Sequence, residues 1–114
     1  MTRLRIGALA LIILAAVACI GDRSHDATIQ NDANFRVTVY PYGRGEPRFN
    51  NVLAPAESAR ENLLTTDTDP GGYVTIVEAV NDAQVVVFCH RYTYGELQQL
   101  SWKIRIKGGQ LDCS

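Results

Sequence analysis

Hydrophobic and polar side chains alternate along several short stretches of the chain, which is the pattern of β-strands with one buried face. The alternation predicts one strand over residues 35–40 and another over 102–107. Two runs rich in β-branched residues, 73–80 and 84–92, flank the turn-forming residues 81–83 and predict a β-hairpin. Strands therefore account for most of the regular structure that the sequence predicts.

Three shorter segments complete this pattern. Residues 49–53 are compatible with a short strand, whereas 58–65 fit either a strand or a helix, and the neighbouring strands favour the strand. Thr93 and Glu96 have the spacing of a capping box, in which each side chain bonds a backbone amide near the other residue. This spacing predicts a short helix between two strands.

The first 18 residues have the layout of a signal peptide. Arg3 and Arg5 precede an uncharged, mostly apolar run over 6–21, and small residues stand immediately before Cys19. A membrane-spanning helix needs about 20 apolar residues, and this run is shorter. We therefore expect cleavage between Ala18 and Cys19.

Residues 16–19, Ala-Val-Ala-Cys, resemble the bacterial lipobox, in which Leu and two small residues commonly precede the cysteine. The resemblance identifies the chain as a bacterial lipoprotein precursor, although Ala16 stands where Leu is commonest. It implies a thioether-linked lipid on Cys19, with acyl chains such as palmitate that anchor the protein to the cell membrane or outer envelope, outside the cytoplasm. Secretion without a lipid and an uncleaved membrane anchor are the alternatives.

The chain after the leader divides into a spacer and a body. Residues 19–34 are polar and lack periodic hydrophobes, so we predict a flexible tether that includes a solvated His25. Residues 35–114 carry six or seven short strands and one short helix, which predicts an all-β fold, a small antiparallel β-sandwich. This layout is similar to the immunoglobulin-like bodies of uncharacterised bacterial surface lipoproteins.

The cysteine count is consistent with an oxidising compartment. If Cys19 carries lipid, Cys89 and Cys113 remain as one pair, and we predict a disulfide between them, with two free buried thiols as the alternative. The bridge would close a loop of about 25 residues and contribute roughly 3 kcal/mol to stability.

The charge balance constrains the partners. Nine basic and twelve acidic residues follow the leader, and this mild acidic excess argues against nucleic-acid binding. Lys103, Arg105 and Lys107 form an outward-facing basic row, which either meets an anionic polymer or lipid headgroups or protects a sheet edge from pairing. Four tyrosines in two Tyr-x-Tyr pairs either bind a sugar or protein partner or pack at the core and rim. They are Tyr40, Tyr42, Tyr92 and Tyr94.

A weak calcium-loop pattern begins at Asp67 and continues with Asp69 and Gly72 to Glu78. The prediction of a strand over 73–80 opposes it, because a strand would carry Glu78 away from the loop. We therefore predict no metal site and keep Asp67 and Asp69 as weak candidates.

Catalytic chemistry also finds little support in the sequence. Cys89 and His90 are consecutive in a predicted strand, so their side chains point to opposite faces and cannot bind one ion together. We predict no cofactor and no enzymatic activity. The expected function is a non-catalytic interaction or structural module whose partner is an envelope protein or a polysaccharide, with a calcium- or metal-dependent binding module and an envelope hydrolase as alternatives.

Overall fold

β-Strands dominate the computed structural model, which describes residues 24–65 and 68–113. The predicted signal peptide, its cleavage site, Cys19 and Asp67 lie outside these residues. The described part of the chain forms eight strands and one short helix. The strands are β1 (Ser24–Asn31), β2 (Val37–Tyr40), β3 (Asn51–Leu53), β4 (Ser58–Leu64), β5 (Tyr73–Val80), β6 (Val86–Thr93), β7 (Lys103–Ile106) and β8 (Gln110–Asp112), and the helix is α1 (Tyr94–Gln99).

The strands form two sheets, which confirms the prediction of a small all-β sandwich. One sheet has the order β4-β1-β7, and the other has the order β3-β2-β5-β6-β8. Most neighbouring strands are antiparallel, as predicted, but β1 pairs with β7 and β6 pairs with β8 in parallel. In the first sheet β7 is an edge strand. This position is the one that the edge-protection interpretation of Lys103, Arg105 and Lys107 requires.

The prediction of strands was accurate where the alternation was strong. The β5–β6 hairpin forms, and residues 58–64 form a strand rather than a helix. Inward side chains of both sheets make a continuous core of fully buried residues. It includes Ile29, Val37, Val39, Leu63, Val77, Phe88, Leu97, Ile104 and Ile106.

The predicted tether is wrong for residues 24–31, because this segment is β1, the central strand of the three-stranded sheet. Its inward positions are Ala27, Ile29 and Asn31, so a single large hydrophobe marks the buried face. The amide group of Asn31 donates to the carbonyl oxygens of Phe35 (2.8 Å) and Leu53 (3.0 Å). A buried asparagine with these partners joins the end of β1 to the other sheet.

His25 and Trp102 also differ from their predicted settings. His25 lies on β1 rather than in a solvated tether, and its ring, although exposed, stacks on the indole of Trp102 with centroids 4.2 Å apart. Trp102 precedes β7 instead of starting it and is only half-buried. No helix in the described ranges has the length and apolarity that crossing a bilayer requires.

Cys89 and Cys113 form the predicted disulfide, with their Cα atoms 5.3 Å apart. Cys89 lies in β6, and Cys113 follows directly after β8. The bond therefore holds the three-residue strand β8 against β6.

We expect reduction of this disulfide to lower the free energy of unfolding by about 2–3 kcal/mol, since the bridge restricts the unfolded chain. Urea unfolding with and without a thiol reductant measures this loss. A control variant with both Cys89→Ala and Cys113→Ala should unfold at one midpoint in both conditions. Identical midpoints for the unaltered protein would show that the bridge contributes no stability.

Candidate functional site

The structure brings four of the seven residues predicted to contact a partner to one pocket. This pocket, of about 450 Å³, opens between the edge strand β7 of one sheet and strands β6 and β8 of the other. Its walls include Tyr92 from β6, Lys103 and Arg105 from β7, and Lys107 just beyond β7. We call it the flank pocket, because it lies beside the β7 edge of one sheet and the β8 edge of the other.

The other three predicted tyrosines lie outside the flank pocket and have packing roles. The hydroxyl group of Tyr42 donates to the carbonyl oxygen of Asn62 at 2.6 Å, and its ring meets Phe49 edge to face. Tyr94 begins α1 and contacts the rings of His25 and Trp102. Tyr40 ends β2 and is half-buried.

Helix α1 borders the flank pocket. Hydrogen bonds to Thr93 and to Pro70 hold its first turn in place. The hydroxyl oxygen of Thr93 accepts from the amide of Glu96 at 3.2 Å, which is the predicted N-cap. The amide of Gly95 donates to the carbonyl oxygen of Pro70 at 3.0 Å, and a Cβ at Gly95 would lie only 3.0 Å from the same oxygen. The close approach of the two segments thus favours glycine at this position.

The carboxylate of Glu96 does not complete the predicted capping box. Both of its oxygens lie 2.8 Å from Nε2 of His90 instead. A protonated imidazole offers the carboxylate an opposite charge as well as a hydrogen bond, whereas the backbone amide offers a hydrogen bond alone, and the side chain turns toward the pocket.

His90 bridges two carboxylates that come from different elements. Nε2 of its ring faces Glu96 in α1, and Nδ1 lies 2.6 Å from Oδ1 of Asp112 in β8. When the ring is protonated, both nitrogens donate. We call these three residues the His90 bridge, and it holds α1, β6 and β8 together at the floor of the pocket.

The bridge shifts the pKa values of His90 and Asp112. Partial burial lowers the pKa of His90, but hydrogen bonds to Asp112 and Glu96 and the charges of both carboxylates outweigh it, so the pKa rises above its ordinary 6.5. The hydrogen bond from His90 in turn lowers the pKa of Asp112 below 3.8. A cationic imidazole between two anions is the favoured state.

Sequence reasoning missed the contacts of His90 with Glu96 and Asp112. One signal was present in the cysteine spacing: His90 follows Cys89, and Asp112 precedes Cys113. The predicted disulfide therefore places the two side chains near each other, and the parallel register of β6 with β8 sets them opposite. The contact with Glu96 depends on the direction in which α1 leaves β6, and the sequence carries no comparable signal for it.

The basic side chains of the flank pocket have few partners. Arg105 donates to the carboxylate of Asp32 at 3.0 Å. No ion pair involves Lys103 or Lys107 within residues 24–65 and 68–113. The single carboxylate in the pocket wall, Glu96, is already bound by His90. The pocket therefore has an excess of positive charge.

The geometry of His90 is not that of a general base beside a nucleophile. A general base needs one ring nitrogen free to accept a proton from a nucleophile, but both nitrogens of His90 face carboxylates. The described residues that line the pocket include no serine, threonine or cysteine.

The structure describes Asp69, Gly72 and Glu78 of the weak calcium-loop pattern but not Asp67. The backbone oxygen of Asp69 accepts from the amide of Gly72 at 2.8 Å, as in a tight turn. Glu78 lies in β5 and pairs with Arg44 at 3.2 Å, so it is directed to a cation of the protein itself. Within the described ranges, no three His, Cys, Asp or Glu side chains are grouped so that they could bind a metal ion.

We expect the His90 bridge to stabilise the fold in a pH-dependent manner. Because the folded-state pKa of His90 is raised, its contribution is complete below about 6.5 and is lost as the pH rises through the folded value. His90→Gln should therefore lower the melting temperature most near pH 5.5 and progressively less toward pH 9. Removal of a charged hydrogen bond of roughly 1–2 kcal/mol corresponds to at least about 4 °C in a domain of this size.

Paired thermal melts of the two proteins across this pH range make the measurement. The lowered pKa of Asp112 keeps its carboxylate ionised throughout the range, so Asp112 does not contribute to the slope. A difference in melting temperature that stays constant with pH would contradict the ionic nature of the bridge.

Comparison of the chain with protein-family models, with curated proteins and with solved structures finds no match.

Proposed function

We propose that this protein is a non-catalytic binding module, anchored by lipid on Cys19 outside the cytoplasmic membrane, and that its flank pocket holds an acidic polysaccharide of the cell envelope. The observation that carries the proposal is the flank pocket itself, in which three basic side chains surround a cavity of about 450 Å³. The lipid anchor derives from the leader sequence, and the ligand class derives from the pocket.

The local charge favours an anionic ligand. The chain beyond the leader has more acidic than basic residues, so its net charge does not itself attract a polyanion. Lys103 and Lys107 have no carboxylate partner among the described residues, and Arg105 shares one exposed contact with Asp32. A polyanion would therefore be attracted to this face of the molecule and not to the others.

The spacing of the charges favours a polymer over a single small anion. Lys103, Arg105 and Lys107 occupy alternate positions, and alternate positions on an extended strand lie about 7 Å apart. The row therefore extends for about 14 Å, which is longer than one phosphate or carboxylate group. Repeated anionic groups along a chain would meet successive cations.

The floor of the pocket offers neutral hydrogen-bonding groups. Gln99 and Gln110 present side-chain amides, and Tyr92 lies against the ring of His90 with centroids 4.4 Å apart. Burial, with the charges of Glu96 and Asp112, raises the pKa of Tyr92, so its hydroxyl group retains its proton. Hydroxyl groups of a sugar are suitable partners for amides and a phenol.

The disulfide supports a location outside the cytoplasm. Disulfides persist in oxidising compartments such as the periplasm and the cell surface. The bond between Cys89 and Cys113 thus agrees with the export that the leader predicts.

We expect the double variant Lys103→Gln/Lys107→Gln to bind polygalacturonate at least about tenfold more weakly than the unaltered protein, since two charged contacts are lost. Titration calorimetry at low salt measures the affinity, and added salt should weaken the binding by screening. The matched control is Arg36→Gln/Arg48→Gln, which removes two exposed cations next to β2 and β3, at the opposite edge of the five-stranded sheet from β8, and should leave the affinity unchanged. Equal losses in both variants, or no binding of the polyanion at all, would refute the polysaccharide proposal.

Intact-mass analysis of the membrane fraction tests the anchor separately. We expect a mature chain that begins at Cys19, carries acyl groups and has lost two hydrogens to the disulfide. Cys19→Ser should release the protein from membranes because a lipid supplies the attachment. A membrane-bound form that retains Met1 would instead indicate an uncleaved anchor.

A further inference from the structure

Aromatic and apolar side chains gather at the end of the sandwich where β1 begins. The rings of His25, Tyr94 and Trp102 lie within 6.2 Å of one another, measured between centroids. Leu64 ends β4 opposite Ser24, the first residue of β1, and Tyr73 begins β5 opposite Thr93, the last residue of β6, so both lie at this same end of their sheets. We call these five residues the aromatic end.

The outer members of the aromatic end are unusually exposed. Leu64 is 64% exposed and Tyr73 is 62% exposed, although both have large apolar side chains. The guanidinium group of Arg91 lies over the Tyr73 ring, 4.9 Å from its centroid. The surface thus combines apolar area, aromatic rings and a cation, which are the groups that favour the interface between lipid and water.

The turn that presents Trp102 is conformationally costly. Ser101 and Trp102 have φ angles of 54° and 59°, a left-handed region that residues with bulky side chains rarely adopt. Backbone bonds hold the turn, since the amide of Trp102 donates to Leu97 (2.8 Å) and its carbonyl oxygen accepts from Thr28 (2.9 Å). Strain of this kind persists where surrounding structure imposes it, and it is concentrated at functional surfaces.

The chain length before β1 limits the distance between this end and the membrane. Four residues lie between Cys19 and Ser24, and the five residue-to-residue steps of a fully extended chain cover at most about 18 Å. The eight-residue strand β1 spans about 26 Å, so the loops at its other end lie beyond the reach of the tether. The aromatic end is therefore the part of the body nearest to a lipid on Cys19.

We infer that the aromatic end lies against the headgroup region of the bilayer that holds the lipid anchor and fixes the orientation of the body on the membrane. This inference rests on the lipid anchor of the proposed function. The flank pocket begins beside Lys103, adjacent to Trp102, and extends away from the bilayer toward Lys107. An oriented body would therefore keep its binding row directed outward from the membrane.

Trp102 is the only tryptophan in the chain, so its fluorescence reports this contact directly. The protein isolated from membranes with its native anchor is reconstituted into phosphatidylglycerol and phosphatidylcholine vesicles with and without brominated acyl chains. We expect brominated lipid to quench the Trp102 emission. The variant Leu64→Gln/Tyr73→Gln should reduce this quenching at least about twofold, because it removes the exposed apolar groups that favour the interface.

A matched control removes apolar side chains of similar exposure elsewhere. Val52 is 55% exposed and Leu111 is 60% exposed, and neither belongs to the aromatic end. Val52→Gln/Leu111→Gln should leave the quenching unchanged, and equal effects of the two double variants would overturn the inference.

Two further outcomes separate this inference from the proposed anchor. An acylated, vesicle-bound protein whose emission is the same in brominated and plain lipid would overturn the orientation and leave the anchor intact. A chain without acyl groups that fails to float with the vesicles would overturn both.

Discussion

The covalent bond between Cys89 and Cys113 is the constraint on which the functional face of this protein depends. Strand β8 has three residues and pairs with one neighbour, so its few backbone bonds provide little stability of their own. The bond fixes it beside β6 and sets Asp112 opposite His90. One wall of the flank pocket and one half of the His90 bridge follow from this single connection.

The charges of the molecule are arranged around that connection. The protonated imidazole of the His90 bridge offsets the charge of one of its two carboxylates, so the bridge has less negative charge beside the lysines of the adjacent edge strand. The same bridge attaches α1 to the five-stranded sheet, and Leu97 of this helix is fully buried in the core. Stability and local electrostatics thus depend on one cluster.

The parts of the fold that the sequence predicted were those with strong alternation. The β5–β6 hairpin, β7 and the disulfide follow from residue patterns that are local or depend on cysteine parity. Strand β1 was missed because its inward positions hold one large hydrophobe, Ile29, beside an alanine and a buried asparagine. Tertiary partners, rather than local preference, make this segment a strand.

The candidate site was predicted only where a local sequence pattern marked its residues. The outward row of Lys103, Arg105 and Lys107 is visible in the alternation of β7, and Tyr92 shares the pocket with it. The partners of His90 come from elements whose relative position is set by tertiary packing, and no local pattern encodes that position. Trp102 was assigned to a regular strand because the sequence gives no sign of the left-handed turn that precedes β7.

The parallel pairing of β1 with β7 determines when this domain can be completed. Ile29 faces Ile104 across the sheet, so one of the first segments of the body needs a partner from near the end of the chain. Such contacts are slow to form, because a long loop must close before they yield any stabilisation. Strand β1 therefore stays unpaired on its β7 side until residues 103–106 can reach it. Completion of this sheet is thus a late step in the folding of the domain.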